Sequence, residues 1–217
     1  MAATHIGCSE DTPRRTLAAL QSSELLIFEE DRPARLLLKL AGIQKHYVKF
    51  NEHNPTEIID LLYRHLKEGK SAVYVSDQGC PTLADPGRQL LEAAYAARAL
   101  IRVIPGPSSI TAAISACPFP MQRFLFQGFL SAETAQRERE LAQLTNHENP
   151  IVILDTPYRL EKLLVACSHI FDRSRKAFLA LDISGEHESY LIGSFSKLLE
   201  SPREGKLNFV LIISGRR

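Results

Sequence analysis

Four loops rich in glycine, proline and small polar residues stand at the ends of apolar runs. The two most distinctive are SDQGCPTLADPG at residues 76–87 and VIPGPSSI at residues 103–110. The shorter loops ATHIG and LDTPYR occupy residues 3–7 and 154–159. Open α/β sheets bind ligands at the carboxyl ends of their strands, where glycines let a ligand approach the backbone. Any one loop is typical of an ordinary turn, but the four together predict a ligand site.

Several common catalytic motifs are absent from the sequence. Gly69-Lys70-Ser71 resembles the end of a phosphate-binding loop, but no glycine stands five residues upstream. No GxGxxG, GxSxG or HExxH motif occurs. The sequence therefore gives no motif support to a kinase, a Rossmann-type dehydrogenase, a serine hydrolase or a zinc protease.

The composition is that of an ordinary globular protein. The 217 residues include 26 Lys and Arg against 25 Asp and Glu, a net charge of +1, so no basic excess indicates a polyanionic partner. The apolar runs are far shorter than the roughly 20 residues that span a bilayer, and the N-terminus has no signal-peptide pattern. Four dispersed cysteines predict free thiols, a cytoplasmic protein and no structural metal.

Strands and helices alternate in the first half of the chain. Apolar patterns predict strands at residues 25–30, 46–50, 71–77 and 100–106. Helices are predicted after each of them, including Pro55–Lys67, which begins with a proline in its first turn. This alternation requires parallel crossovers and predicts an α/β fold with a mainly parallel sheet.

The pattern changes after CPFPMQ at residues 117–122, which carries two prolines and reads as a linker. Beyond it come predicted strands in RFLFQGFL, IVILD and a strand-rich tail, with a polar helix over residues 132–144. We therefore predict two α/β domains, at residues 1–116 and 117–217, the second with a mixed sheet.

The motifs also carry a family resemblance. In order along the chain, EEDRPARLLLKLAGI, FNEHN, SDQGCPTLADPG, VIPGPSSITAAIS, RFLFQGFL, LDTPYR and ALDISGEHE resemble the tetrapyrrole-methylase-like superfamily of S-adenosylmethionine (SAM) methyltransferases. The similarity is greatest to the branch that contains ribosomal small-subunit methyltransferase I, in its short form without a C-terminal extension. It implies a homodimer of two α/β domains with SAM in the cleft between the domains, and 2′-O-methylation of a ribose in small-subunit rRNA.

The resemblance also implies roles for individual residues. The cofactor would contact residues of all four loops and one late acidic residue: Ile6, Gly7, Asp77, Gly79, Cys80, Ser108, Ser109, Leu154 and Asp182. Such a cofactor, a sulfonium cation with an adenine ring, requires small residues, carbonyl groups and an apolar slot, but no metal.

The acceptor would meet a second group of residues. Asp31 and Glu30 are the candidates to orient or deprotonate a hydroxyl, although an aspartate at a helix entry is equally typical of a cap. Arg32, Asn51, His53, Tyr158 and Arg159 are the candidates to bind substrate, with the two arginines directed to phosphates.

Two alternatives remain open on the sequence. In the predicted helix over 132–144, Arg137 and Arg139 stand among three glutamates, which does not suit a phosphate-binding surface. A small, tetrapyrrole-like acceptor is therefore an alternative to rRNA. Ser184-Gly185 replaces the usual Thr-Lys of the branch, and the strand before residue 4 is short. These departures leave room for a protein that binds SAM without catalysing transfer.

Overall fold

The computed structural model describes residues 1–51, 55–83, 87–202 and 205–216. The chain divides into two compact units, Met1–Ser108 and Ser109–Arg217. Each unit is built around its own sheet, three-stranded in the first and five-stranded in the second. The α/β class and the parallel and mixed character of the two sheets are as the sequence predicted.

The sheet of the first unit has the strand order β2-β1-β3 and is parallel throughout. Its elements, in chain order, are α1 Arg14–Ser22, β1 Leu25–Phe28, α2 Asp31–Leu40, β2 Val48–Lys49, α3 Pro55–Lys67, β3 Ala72–Val75 and α4 Arg88–Ala96. The helix over Pro55–Lys67 has the predicted bounds. Helix α1 was missed, because its nine residues carry little apolar periodicity beyond Leu17 and Leu20.

The predicted strand over residues 100–106 is wrong. Only Ile104 forms a bridge, and it pairs with Ala2, which also pairs with Val75 of β3. Backbone N–H groups of Ala2 and Ala3 donate to Tyr74 and Ile104 at 3.0 Å each. A three-residue stub thus extends the parallel sheet, and it is too short to pair with a longer strand. Leu100 and Val103 are correspondingly 81% and 65% exposed.

The first unit packs its apolar residues on both faces of the sheet. One cluster joins Leu26 and Phe28 to Leu37 of α2, and the other joins Ile27 and Tyr74 to Leu62 of α3. Since residues alternate across a strand, Leu26 and Ile27 lie on opposite faces. Burial on both faces explains the continuous apolar runs of β1 and β3.

The sheet of the second unit has the order β4-β5-β8-β6-β7. Its elements are α5 Ser109–Ala116, β4 Leu125–Phe129, α6 Thr134–Leu144, β5 Ile151–Asp155, α7 Leu160–Ile170, β6 Lys176–Leu181, β7 Ser189–Ser194, α8 Phe195–Glu200 and β8 Phe209–Ile213. Strands β4 and β5 are parallel, whereas β8 is antiparallel to β5 and β6.

The division between the units precedes α5, which the sequence analysis placed at the end of the first domain. Ile110 and Ala113 of α5 are buried in a cluster with Val152, Phe178 and Val210. These contacts with the second sheet explain why α5 belongs to the second unit.

Candidate cofactor and substrate site

The predicted site residues of the first unit follow parallel elements and therefore share one edge of the sheet. The stub ends at Ala3, β1 at Phe28, β2 at Lys49 and β3 at Val75, and Ile104 precedes the loop of residues 105–108. Carboxyl ends of parallel strands meet at the same edge. We call this the first carboxyl edge.

Two backbone hydrogen bonds and one from a thiol join three of the predicted loops at this edge. The Thr4 N–H donates to the Gly79 carbonyl at 2.9 Å, and the Gly79 N–H donates to the His5 carbonyl at 3.1 Å. The Cys80 thiol donates to the Pro107 carbonyl at 3.4 Å. The structure thus brings Gly79 and Cys80 together with the turn that contains Ile6 and Gly7 and with the loop that leads to Ser108 and Ser109.

Gly79 occupies a confined position with a positive φ of 71°. A Cβ atom there would lie 3.3 Å from Ile6 Cγ2 and 3.4 Å from the Pro107 carbonyl oxygen. Both the left-handed backbone and the close approach of Ile6 and Pro107 favour glycine. The three loops therefore form a small-residue cradle, lined by Ile6, Gly79 and the carbonyl of Pro107.

The acidic turn after β1 is linked to this cradle. The Glu30 N–H donates to Asp77 Oδ1 at 3.2 Å, so the predicted cofactor residue and the predicted catalytic residues are neighbours. The Glu30 side chain is exposed. Glu29, which the sequence analysis did not select, instead points its carboxylate to the Tyr74 hydroxyl at 2.6 Å.

Asp31 is held by two donors from the segment around β2. Tyr47 Oη donates to Oδ1 and Lys49 Nζ donates to Oδ2, both at 2.9 Å. The hydrogen bond from Lys49, followed by that from Tyr47, lowers the pKa of the Asp31 carboxyl below its ordinary value. A carboxylate has about four lone-pair positions, so Asp31 can accept a further hydrogen bond while remaining ionised.

Other predicted substrate residues lie near this turn in sequence. Arg32 is exposed as the second residue of α2, and Asn51 is partly buried after β2. His53 lies outside the described residues. The acceptor roles of Glu30, Asp31, Arg32, Asn51 and His53 remain predictions.

His5 is a polar residue of the first turn that the sequence analysis passed over. Its Nδ1 lies 2.8 Å from Thr12 Oγ1 and 3.2 Å from Thr4 Oγ1. Burial lowers the pKa of the imidazole, an effect that Asp11 partly opposes. The neutral ring therefore anchors the start of the cradle to the short 3₁₀ turn Ser9–Asp11.

The predicted cofactor residues of the second unit also share a sheet edge, which we call the second carboxyl edge. Asp155 of β5 and Leu181 of β6 both pair with Phe209 of β8, one on each side. Leu154 and Asp182 are the neighbours of these two residues in the chain. They therefore lie on either side of β8, and their cofactor contacts remain a prediction.

Asp182 is folded into its own turn. Its Oδ2 accepts the His187 N–H at 2.9 Å, and its backbone has a positive φ of 46°. A Cβ atom on Gly185 would lie 2.3 Å from the same carboxylate oxygen. Glycine at position 185 thus makes room for the Asp182 side chain.

Arg159, a predicted phosphate ligand, makes its contacts within the second unit. Its Nη2 donates to the carbonyls of Leu130 and Ser131, at 3.0 and 2.5 Å. Its Nε lies 3.3 Å from Asp155 Oδ1, an ion pair that lacks hydrogen-bond geometry. With 15% of its side chain exposed, the guanidinium is poorly placed to meet a substrate phosphate. Tyr158 beside it is 65% exposed, and its substrate role remains a prediction.

Asp155 and Arg137 are buried charges that sequence reasoning missed. Asp155 accepts the Thr156 N–H at 2.7 Å, and burial raises the pKa of its carboxyl. Arg137 is only 4% exposed and donates to the carbonyls of Ser131 and Ala132. The expectation that Arg137 is a surface charge balanced by nearby glutamates is therefore wrong.

The described residues bring together no group of three or more His, Cys, Asp and Glu side chains that would hold a metal ion. Within the same ranges, no helix has the length and apolar character needed to cross a membrane. All four cysteines are free thiols.

Comparison with known proteins agrees with this arrangement of loops. The family model of the tetrapyrrole (corrin/porphyrin) methylases matches residues 3–199, which include both carboxyl edges. The chain belongs to this family. It is an S-adenosylmethionine-dependent methyltransferase.

Individual relatives and a solved structure are also similar to this chain over nearly its whole length. A ribosomal RNA small subunit methyltransferase I from Thermotoga maritima is 32% identical over 98% of this chain and 96% of its own. One from Borrelia garinii is 33% identical over 97% and 96%. The crystal structure of a cobalt precorrin-4 methyltransferase aligns over 99% of this chain and 94% of its own, with a TM-score of 0.69 and 14% identity. This last likeness concerns the fold alone.

Proposed function

We propose that this methyltransferase modifies small-subunit ribosomal RNA, at a ribose 2′-hydroxyl. The observation that carries the proposal is the near-full-length similarity to relatives named for small-subunit rRNA methylation. The position of Asp31 supports it, because an ionised carboxylate with free lone pairs suits a hydroxyl acceptor.

The first carboxyl edge fits the cofactor by its shape and donor set. A side chain at Gly79 would press on Ile6 and on the Pro107 carbonyl oxygen. Backbone carbonyls, the polar groups of this cradle, suit a sulfonium cation. Ile6 adds an apolar wall, and the Asp77 carboxylate is fixed by the Glu30 N–H. Ile6, Gly7, Asp77, Gly79, Cys80 and Ser108 would hold the cofactor from this side, whereas Ser109, Leu154 and Asp182 would do so from the second unit.

Methyl transfer from SAM to a hydroxyl then requires that the two reacting groups are aligned and that the hydroxyl proton is removed. SAM, when bound, supplies an electrophilic methyl group and leaves as S-adenosylhomocysteine. The in-line attack of a hydroxyl gains most of its acceleration from fixed geometry. Asp31, which Lys49 and Tyr47 keep ionised, would accept a hydrogen bond from the acceptor hydroxyl and so orient it. Glu30, exposed beside it, would take up the proton.

Calorimetric titration with SAM and S-adenosylhomocysteine is the first test, with ATP and NAD as controls. We expect micromolar binding of the two adenosyl ligands alone. Transfer of a labelled methyl group is then measured with small ribosomal subunits, with free rRNA and with a pool of tetrapyrroles. Label in the ribose of small-subunit rRNA supports the proposal, whereas label only in the tetrapyrroles would overturn it.

Two further features implied by the family resemblance are part of the proposal. We expect a homodimer, which sedimentation of the purified protein will show as twice the 24.3 kDa chain mass. We also expect the protein in the cytoplasm, where four free thiols stay reduced.

A further inference from the structure

The exposed face of α2 carries positive charges in a row. Arg32, Arg35 and Lys39 are all exposed, at spacings of three and four residues that place them on one side of a helix. Leu36 and Leu40 stand beside them, 41% and 39% exposed. The acidic residue of the helix, Asp31, is already paired with Lys49. We call Arg32, Arg35 and Lys39 the α2 basic row.

Most other helices in the described part of the chain mix both signs of charge. Helix α4 pairs Arg88 with Glu92 one turn later, and α3 carries Glu57 and Asp60 as well as Arg64 and Lys67. Helices α6, α7 and α8 likewise include both glutamate and a basic residue. A solvated face is normally mixed in this way. Helix α1 is also purely basic, but its Arg14 and Arg15 stand in the first turn alone, whereas the α2 basic row extends from the first turn of its helix to the last. This extent requires an explanation.

Helix electrostatics do not supply that explanation. Cations stabilise the carboxyl end of a helix and destabilise its amino end. Lys39 in the last turn fits this rule, but Arg32 stands in the first turn, where its charge opposes the helix dipole. The helix dipole therefore does not account for Arg32, just as it does not account for Arg14 and Arg15 in the first turn of α1.

A groove continues the row past the end of α2. It has a volume of about 740 Å³ and is lined by Arg35, Leu38, Lys39, Gly42, Ile43, Gln44, Lys45 and His46. The described lining residues include four basic side chains and no carboxylate. Lys45 is held in place by the carbonyls of Leu20, Gln21 and Ser23 at the end of α1. These three carbonyls match the three N–H groups of the ammonium, so Lys45 adds positive charge beside the groove but has no further N–H to donate to a phosphate.

We propose that the α2 basic row and this groove bind the phosphodiester backbone of the RNA acceptor and lead the strand to Glu30 and Asp31. The inference rests on the proposed function and deepens it. Helix α2 begins at Asp31, so the row starts at the acidic turn. Ten helical residues span about 15 Å, enough for two or three successive phosphates. The exposed leucines offer apolar contact to sugars or bases.

The test is RNA binding as a function of salt concentration. The triple variant Arg32→Gln, Arg35→Gln, Lys39→Gln is compared with Arg64→Gln, Lys67→Gln, Arg102→Gln, which removes three other exposed charges of the first unit. The probe is a short, mixed-sequence, fluorescein-labelled single-stranded RNA. Each lost phosphate contact lowers the slope of log K against log salt by about 0.7. For the α2 variant, the slope should therefore be about 2 smaller in magnitude than for the wild type. This difference corresponds to an affinity about 100-fold weaker near 0.1 M salt.

The outcomes separate this inference from the proposed function. SAM binding is measured on the same preparations and should be unchanged in both variants. An α2 variant that keeps the wild-type slope, or a control variant with an equal loss, overturns the inference even if SAM binds. Unchanged RNA affinity with weakened binding to whole small subunits would assign the row to an acidic protein surface instead. If the wild type binds RNA through the row but does not bind SAM, the proposed function fails and the basic row stands.

Discussion

The two carboxyl edges are built by different means. At the first edge, loops are joined through backbone groups, as in the pair of bonds between Gly79 and the segment Thr4-His5. At the second edge, loops are joined through buried charges, as Arg159 connects the residues after β4 to Asp155 at the end of β5. The first edge leaves carboxylates of Glu30 and Asp31 accessible, whereas Asp155 is wholly enclosed.

This difference indicates that the two edges have different roles, one functional and one structural. Backbone bonds and glycine leave a small, shaped surface free for a ligand, and they cost little desolvation. Buried charges are expensive to desolvate and cannot easily move once they are paired. The first edge is therefore suited to chemistry, and the charges of the second edge to holding a wall in place.

The largest expected effect concerns the buried charge of the second edge. Asp155→Ala leaves Arg159 without its buried carboxylate, and removal of one partner from such a pair costs about 3–5 kcal/mol. Urea denaturation will measure this loss in the free energy of unfolding. Asp172→Ala is the matched control, because its carboxylate is exposed, accepts hydrogen bonds from Ser174, and should cost far less when removed. Equal losses of stability in the two variants would mean that the buried carboxylate of the second edge contributes no more than an exposed one.

The next effect concerns the cradle of the first edge. Gly79→Val fills the space between Ile6 and Pro107, and overpacking of this kind costs about 1–3 kcal/mol. The added side chain displaces Ile6 and the Pro107 carbonyl, which line the cradle, so SAM affinity should fall by about tenfold or more, as measured by calorimetry.

Gly69→Val is the control for backbone strain at Gly79. Gly69 has a similar positive φ of 76°, but nothing lies within 4 Å of an added Cβ. It precedes β3, at the opposite end of the strand from Gly79. Folding should suffer similarly from the strained backbone, while SAM affinity should stay at the wild-type value. A loss of SAM affinity in both variants would refute the cradle.

A smaller effect is the pH dependence of stability. Burial raises the folded-state pKa of Asp155 above its ordinary 3.8, so the folded state binds more protons than the unfolded state in the interval between them. Asp155 thus makes stability fall as pH rises from about 4 through the folded-state pKa. The free energy of unfolding of the wild type minus that of Asp155→Asn, measured by urea denaturation across this pH range, should show this decline. Asp172, whose pKa is lowered by Ser174, should show the opposite sign, with stability lost as pH falls.

The smallest effect tests the carboxylate at the first edge. Lys49→Met removes the main cause of the lowered Asp31 pKa, so that pKa should rise. If Asp31 acts ionised, the acidic limb of the kcat profile moves to higher pH. Lys70→Met, which removes a comparable exposed partner from Glu68, should leave the profile unchanged. An unmoved limb in Lys49→Met would remove Asp31 from the reaction.

The sequence predicted features that depend on local pattern. Apolar runs located β1, β3 and β5, and the glycine- and proline-rich loops located the first carboxyl edge. The sequence could also have predicted that Tyr47 and Lys49 act together on Asp31, because residues two apart on an extended segment share a face.

Features that depend on tertiary context were not predictable in this way. Arg137 has the sequence surroundings of a surface residue, and its burial depends on the carbonyls of Ser131 and Ala132 together with the Thr134 hydroxyl. The segment around Ile104 has the apolar pattern of a strand but lacks a partner longer than the stub at Ala2. Likewise, α5 follows a first-unit loop in sequence while its apolar face is covered by the second sheet.

The hydrogen bond from Glu30 to Asp77 has a consequence for the order of events. A ligand that displaces Asp77 also changes the support of the residue that caps α2. If the cofactor contacts Asp77 as proposed, its occupancy and the position of Glu30, Asp31 and Arg32 would be thermodynamically linked, and the linkage would be reciprocal. Whichever ligand arrived first would then change the affinity for the second by the same factor, with the Glu30 N–H as one physical connection between the two proposed binding sites.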